Sequence, residues 1–515
     1  MPAMTVFITF INLLALAPAV LGSPLHTLTN SSQQIKWGPC DFQSVSPLPV
    51  ECGTLLVPVD YTNTACNETV ALSLLRSRAV KAPSKGSILF NFGGPGYGAI
   101  HTLDLMTASF HGLTGGQYDL IAFDPRGVEK TLTFSCFDTP VDRKIAGYKY
   151  PLLPLNASDV ALVDTWANTQ ALSNICRNRN TTTDRGALVG TAFVARDMMQ
   201  IVDALGEDGL LRFWGISYGS LLGATVAAMF PDRMDRLVLD GVVNGHNYYH
   251  RFDIDVDSLL SADAAFRAIL SECIAVGPAK CALATVNSTA SELEATLIQL
   301  IEDFKANPIA VNTTIINAMF VVQLYYIVIK YPSAIANAAV HINYLLHRRN
   351  LTAVVDYYNG LQAGIAMGDD DSLWGIKCGD TIPRATELAD VRPEVEHMAK
   401  SSEIFGSYLT TLATQCAPWP FEAKERYLGD FKVKTKVPVL FVGNTYDPVT
   451  PVASARNMSA SFEGSVVLEQ RGFGHASTSQ SSACTAKVLR AYFANGTLPE
   501  AGTVCEVDTP LFKSR

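Results

Sequence analysis

Leu210-Leu211-Arg212-Phe213-Trp214-Gly215-Ile216-Ser217-Tyr218-Gly219 reads as an apolar strand running into a Gly-x-Ser-x-Gly turn. Ser220 to Met229 continues as an Ala/Leu-rich, helix-compatible stretch. A strand–turn–helix this tight brings together the side chains two before and two after the serine, and glycine at both places removes the clash. The serine hydroxyl is then left projecting above a sheet. The five-residue pattern alone is weak, because Gly and Ser are common in this chain. What strengthens it is the order of the residues downstream.

Val437 to Val442 reads as a short buried strand that enters the polar, Pro-punctuated loop Gly443 to Pro451, which carries Asp447. Ser465 to Glu469 reads as a further strand, followed by Arg471-Gly472-Phe473-Gly474-His475-Ala476. Ser217, Asp447 and His475 therefore occur in the order nucleophile, acid, base. A free serine is a poor nucleophile. An imidazole takes its proton, and a carboxylate fixes the tautomer and stabilises the imidazolium. Upstream, the apolar strand Ser87 to Phe92 enters Gly93-Gly94-Pro95-Gly96, a loop whose backbone can approach a ligand closely. The expected oxyanion donors are the N–H groups of Gly94 and of Tyr218, the residue after the nucleophile. The loop lacks the Gly-Lys-Ser/Thr ending of a phosphate-binding loop. Asp240, also at a strand end, is the rival acid; the strand-end loop before His475 favours Asp447, with Asp240 expected to bond backbone near the site. Arg126 is expected to hold core loops through a carboxylate.

These residues, with Asn91–Gly96, Phe123–Val128, Ala195–Met198, Leu239–Val242, Ile376–Asp380, Asp447–Pro451, Gly474-His475 and Cys484…Cys505, resemble the α/β-hydrolases of the prolyl and tripeptidyl aminopeptidase type with a TAP-like C-terminal segment. The resemblance implies a mostly parallel sheet with helices on both faces, an inserted helical cap, and serine exopeptidase chemistry. Two departures stand near the expected site mouth. Glu129-Lys130-Thr131 replaces the usual Gly-x-Ser, and Asn244 stands where Asp is common. The residues alone imply acyl transfer to water; a carboxylesterase, lactonase or amide hydrolase of a small metabolite would use the same set.

An aminopeptidase must measure distance from a free amine. An acidic group in the cap does this, and Asp380 and Glu272 are the expected substrate-binding residues. Trp374 and Trp419 are candidates for the cap pocket or the core, and Asp369-Asp370-Asp371 is expected to be a solvated turn, since it lacks calcium-loop spacing. No metal or organic cofactor is expected, because protein groups fill every charge-handling role.

The chain has 515 residues, a formal net charge of −9 and no basic stripe, so a nucleic-acid or anionic-membrane partner is not expected. A peptide or small acyl substrate and a monomer are expected. Strand–helix alternation suggests core segments at 23–245 and 426–515, with the cap at 246–425. Residues 1–22 are apolar and end in small residues before Ser23-Pro24, as in a secretory signal peptide. Sequons at Asn30, Asn67, Asn156, Asn180, Asn287, Asn312, Asn350, Asn457 and Asn495 point to a secreted glycoprotein. The 11 cysteines suggest the pairs Cys40–Cys52, Cys136–Cys176, Cys273–Cys281, Cys378–Cys416 and Cys484–Cys505, leaving Cys66.

Overall fold

The computed structural model describes residues 34–179, 185–365, 370–409 and 411–512. The expected signal peptide and the sequons at Asn30 and Asn180 lie outside them. The strands assemble into one sheet of ten in the order β1-β2-β3-β5-β4-β6-β7-β10-β11-β12. β1 (Lys36–Gly38), β2 (Val50–Pro58) and β3 (Thr69–Ser77) form an antiparallel edge, and β3 joins β5 (Asp119–Phe123) antiparallel. From β5 onward the pairing is parallel through β4 (Ser87–Asn91), β6 (Leu211–Ile216), β7 (Met234–Asp240), β10 (Leu440–Tyr446), β11 (Val466–Phe473) and β12 (Val504–Glu506).

The apolar runs that mark β4, β5, β6 and β10 are explained by burial on both faces. Alternate side chains go to opposite sides. Leu89, Ile121, Phe213, Leu239 and Phe441 join one core, while Phe90, Ala122, Trp214, Val238 and Val442 join the other. Helices Thr191–Leu205 and Tyr218–Met229 cover the first face, and Ala99–Thr114 and Ala483–Asn495 the second. The nucleophile turn thus sits at the C-terminal end of a central strand, where ligands of open α/β sheets bind.

Between β7 and β10 the chain is mainly helical, from Gly245–His250 and Val256–Val276 to Thr411–Cys416, with its own apolar core and a small hairpin, β8 (Ile309–Val311) and β9 (Thr314–Ile316). Among the described residues no single helix is long and apolar enough to cross a membrane. All five expected disulfides are present, and Cys66 is free. Every sequon asparagine among the described residues is exposed.

Two local features differ from the expectations above, and one agrees. Helix Pro140–Lys149, in which Ala146 is the one buried residue, helix Ala161–Arg177 and strand β12 are elements the sequence does not lead one to expect. Asp371 is not in a solvated turn. Its side chain is buried in the helix Asp370–Asp380, accepts the Cys136 amide at 2.9 Å and pairs with Arg143. Arg126 is fully buried, donating to both oxygens of Asp197 (2.6 and 2.8 Å) and to the Val59 and Pro58 carbonyls, so it does join core loops.

Candidate active site

Ser217 occupies a backbone conformation with φ 59° and ψ −125°, which a non-glycine residue adopts at a cost of about 1–3 kcal/mol. Its amide donates to the Asp240 carbonyl at 3.0 Å, and its own carbonyl accepts the Ser220 amide at 2.8 Å. A Cβ at Gly215 would strike the Gly219 carbonyl, and one at Gly219 would strike that of Asn91, so the turn closes only with glycine at both positions. The Gly93-Gly94-Pro95-Gly96 loop lies against it. A Cβ on Gly93 would come within 2.7 Å of the Ser217 Cβ and 3.1 Å of the Tyr218 nitrogen.

The imidazole of His475 places Nδ1 at 3.1 and 3.2 Å from the two carboxylate oxygens of Asp447. Asp447 is fully buried and also accepts from the amides of Val449 (2.8 Å), Thr450 (2.9 Å) and Ala476 (2.9 Å) and from the Thr450 hydroxyl (2.8 Å). Burial alone would raise this carboxyl. The facing imidazole and the hydrogen bonds more than offset it and hold Asp447 below its ordinary value. The Thr450 hydroxyl also lies 3.1 Å from His475 Nδ1, bridging acid and imidazole. His475 and the Ser217 hydroxyl are not hydrogen-bonded; such contacts are often loose before substrate binds.

Asp240 makes no hydrogen bond to the imidazole. Its oxygens accept the Ser477 amide (2.9 Å) and hydroxyl (2.6 Å), which ties the loop after His475 to the end of β7. Burial, with the Asp447 charge adding, pushes its carboxyl up to about 6. The helical segment also touches this loop. The Lys330 carbonyl accepts the His475 amide at 3.0 Å, and a Cβ on Gly474 would strike Pro332.

Ser217 opens on a cavity of about 70 Å³ that Gly94, Tyr218 and Thr450 also line. The two residues expected to supply the oxyanion donors thus line the serine's own cavity. The two expected amine-binding residues do not. Asp380 is fully buried and accepts the Thr191 amide (2.8 Å), the Thr191 hydroxyl (2.6 Å) and the Tyr248 hydroxyl (3.2 Å). Helix Thr191–Leu205 begins after Gly190 with no side-chain cap, and Asp380 supplies the missing acceptor from elsewhere in the chain. Glu272 is exposed on helix Val256–Val276, where its neighbour Cys273 takes the core-facing position.

The acidic residues lining the Ser217 cavity are instead Asp255 and Asp257, beside Asn244 and Lys377. Asn244 stood out in the sequence as a departure, but the two aspartates did not. Their position just beyond the C-terminal end of β7 was the available signal. A second, larger cavity of about 1490 Å³ contains Trp374, Trp419, Phe137 and Arg185 but not Ser217. Trp374 and Lys377 lie one turn apart on the same helix, so that helix borders both spaces.

A strained elbow serine on a parallel sheet, with a buried Asp facing a His after the last long strands, defines a serine hydrolase of the α/β-hydrolase fold. Residues 87–267 match the family model for the alpha/beta hydrolase fold, and residues 402–505 match the model for TAP-like protein. The chain therefore carries an α/β-hydrolase domain and a TAP-like C-terminal segment. It is similar to the serine protease Hip1 of Mycobacterium tuberculosis, at 27% identity covering 92% of this chain and 91% of that protein. It is also similar to the tripeptidyl aminopeptidase of Streptomyces lividans, at 24% identity covering 92% and 86%. Carboxylesterase B of Mycobacterium tuberculosis is 27% identical over 88% of this chain and 86% of that protein. An acetylester hydrolase structure from Corynebacterium glutamicum aligns with a TM-score of 0.35 at 12% identity, covering 87% of this chain and 96% of that one.

Proposed function

We propose that this protein is a secreted serine aminopeptidase that acts on free peptide N-termini. The observation that carries the reading is the convergence on one cavity of the strained Ser217 and the Gly94 and Tyr218 amides, with the Asp447–His475 pair on the strand-end loops beside it. In this mechanism Ser217 Oγ attacks the scissile carbonyl carbon while His475 Nε2 takes its proton. Asp447 holds Nδ1–H and stabilises the imidazolium. The oxyanion accepts from the Gly94 and Tyr218 N–H groups. Collapse breaks the C–N bond, the imidazolium protonates the departing amine, and water then cleaves the serine ester by the same route in reverse.

The names of the peptidase relatives support a peptide substrate, and the carboxylates in the cavity wall suit an amine. The helical segment between β7 and β10 serves as the cap. The signal-like residues 1–22, the disulfides and the exposed sequons support secretion as a glycoprotein. The test is labelling with a fluorophosphonate probe, beside hydrolysis of free and N-acetylated aminoacyl 4-nitroanilides. Wild type should be labelled and should prefer the free amine; Ser217→Ala should be secreted but neither labelled nor active. Labelling of the variant at wild-type strength would move the nucleophile elsewhere.

A further inference from the structure

Asp447 and His475 stand on loops of the sheet, yet each is tied by its backbone to the cap. Helix Val256–Val276 presents two hydroxyls, one turn apart, to the loop that carries Asp447. Ser258 Oγ donates to the Val449 carbonyl at 2.7 Å, and Ser261 Oγ donates to the carbonyl of Asp447 itself, also at 2.7 Å. Helix Ala318–Lys330 ends at the other loop. The carbonyl of its last residue, Lys330, lies beyond the reach of the helix's own amides and accepts the His475 amide at 3.0 Å. Gly474, at φ 85°, lets the loop come this close, since a Cβ there would strike the Pro332 ring.

These bonds single out the two reacting residues. The neighbours of His475 are held by the core. The Gly474 amide donates to the Tyr446 carbonyl at 3.1 Å, and the Asn444 side chain donates to the carbonyls of Gly474 (3.0 Å) and Ala476 (2.7 Å). The amide of His475, between them, goes to the cap. Asp447 shows the same division: its carboxylate takes donors from its own loop and from Ala476, while its carbonyl takes the Ser261 hydroxyl. The two cap helices form one support, with the rings of Phe266 and Tyr325 5.3 Å apart in the cap's apolar core. A shift of that support moves acid and base together relative to Ser217, whose amide is bonded to the end of β7.

Neither Ser261 nor Pro332 lines the Ser217 cavity, so neither is placed to touch substrate there. Their route to the reaction is through the backbones of Asp447 and His475. A displacement of about 1 Å in a reacting group costs roughly 100-fold in rate. We propose that Ser261 and the Lys330–Pro332 turn are positioning residues for acyl transfer, fixing Asp447 and His475 by their backbones, so that the cap completes the charge-handling pair as well as covering it. This rests on the Ser217–Asp447–His475 reading given above and is independent of whether the substrate is a peptide or an ester.

The experiment measures the rate of fluorophosphonate labelling of the purified full-length protein, with the labelled endpoint counting competent molecules. The reagent reports on Ser217 and its base, whatever the natural substrate. Ser261→Ala should be labelled about tenfold more slowly, with an endpoint close to that of wild type. Ser261→Thr keeps the hydroxyl and should recover most of the rate. A serine with a purely structural role would lower the endpoint or the melting temperature and leave the labelling rate of the competent molecules unchanged; that outcome overturns the proposal. So does a Ser261→Thr enzyme as slow as Ser261→Ala, because the hydroxyl is then not the agent. If Ser261→Ala does not fold, Pro332→Ala decides. It keeps the Lys330 carbonyl but loosens the turn, and should slow labelling severalfold; a wild-type rate overturns the proposal. Labelling of Ser217→Ala at the wild-type rate would instead remove the triad reading on which the proposal rests.

Discussion

Asp380 accepts hydrogen bonds from both the amide and the hydroxyl of Thr191, at 2.8 and 2.6 Å, and the same hydroxyl lies 2.5 Å from the phenol of Tyr218. The residue after the elbow serine is thus anchored, through the start of a long helix, to a carboxylate from the helical segment. Burial pushes the Asp380 carboxyl up to about 7, against the pull of the Thr191 bonds. A folded-state value above the unfolded 3.8 means the folded chain holds this proton more tightly. The stability it contributes is full at pH below about 4 and is lost as pH rises through about 7. Asp380→Asn does not titrate, so its melting temperature should fall less than that of wild type between those limits. Equal slopes would place the titration in another group.

The two carboxylates near His475 separate by what they touch. Asp447→Asn keeps the shape but cannot hold the imidazole in the required tautomer, and kcat should fall by about 10⁴-fold. Asp240→Asn disturbs only the bonds to Ser477, so kcat should fall by no more than about tenfold while the melting temperature drops. Steady-state kinetics on one aminoacyl 4-nitroanilide checks both. A reversed order would make Asp240 the acid.

Local features were legible because local forces make them. The elbow follows from glycines two before and two after Ser217, and the parallel sheet from apolar runs such as Leu89-Phe90. The disulfide partners were legible where spacing was short, as in Cys273–Cys281, and the longer ones from pairing the remaining cysteines. Asp380 was misread because its partner Thr191 is distant in sequence, and no periodicity reports which buried donor will need a carboxylate. Glu272 was misread because one step along a helix turns a side chain from the core face to solvent. Asp257 went unnoticed because its place in the cavity wall depends on residues distant in sequence.

Gly219 offers a test of the elbow itself. Its hydrogen occupies the place where a Cβ would strike the Asn91 carbonyl at the end of β4, and that contact is backbone against backbone, so no rotamer relieves it. Gly219→Ala should cost roughly 3 kcal/mol or more, or prevent secretion altogether. Urea denaturation of any secreted variant measures the loss. A cost below about 1 kcal/mol would mean that β4 and the elbow helix can move apart freely.

Arg126 and Asp197 form a fully buried ion pair, with the guanidinium also bonded to the Val59 and Pro58 carbonyls and lying over the rings of Tyr61 (5.0 Å) and Phe193 (5.2 Å). Removing one partner of such a pair costs about 3–5 kcal/mol, because the other charge stays buried and uncompensated. Arg126→Met should lose that much. It leaves Asp197 with only the Tyr61 hydroxyl, at 2.7 Å. The double variant Arg126→Met/Asp197→Leu removes both charges and should recover a large part of the loss, although the Val59 and Pro58 carbonyls still lack their donor. Neither residue lines the Ser217 cavity, so activity per folded molecule should change far less than stability. Denaturant midpoints for the two single variants and the double complete the cycle. If the double variant is as unstable as the sum of the singles, the pair is not coupled, and Arg126 acts through the carbonyls and rings alone.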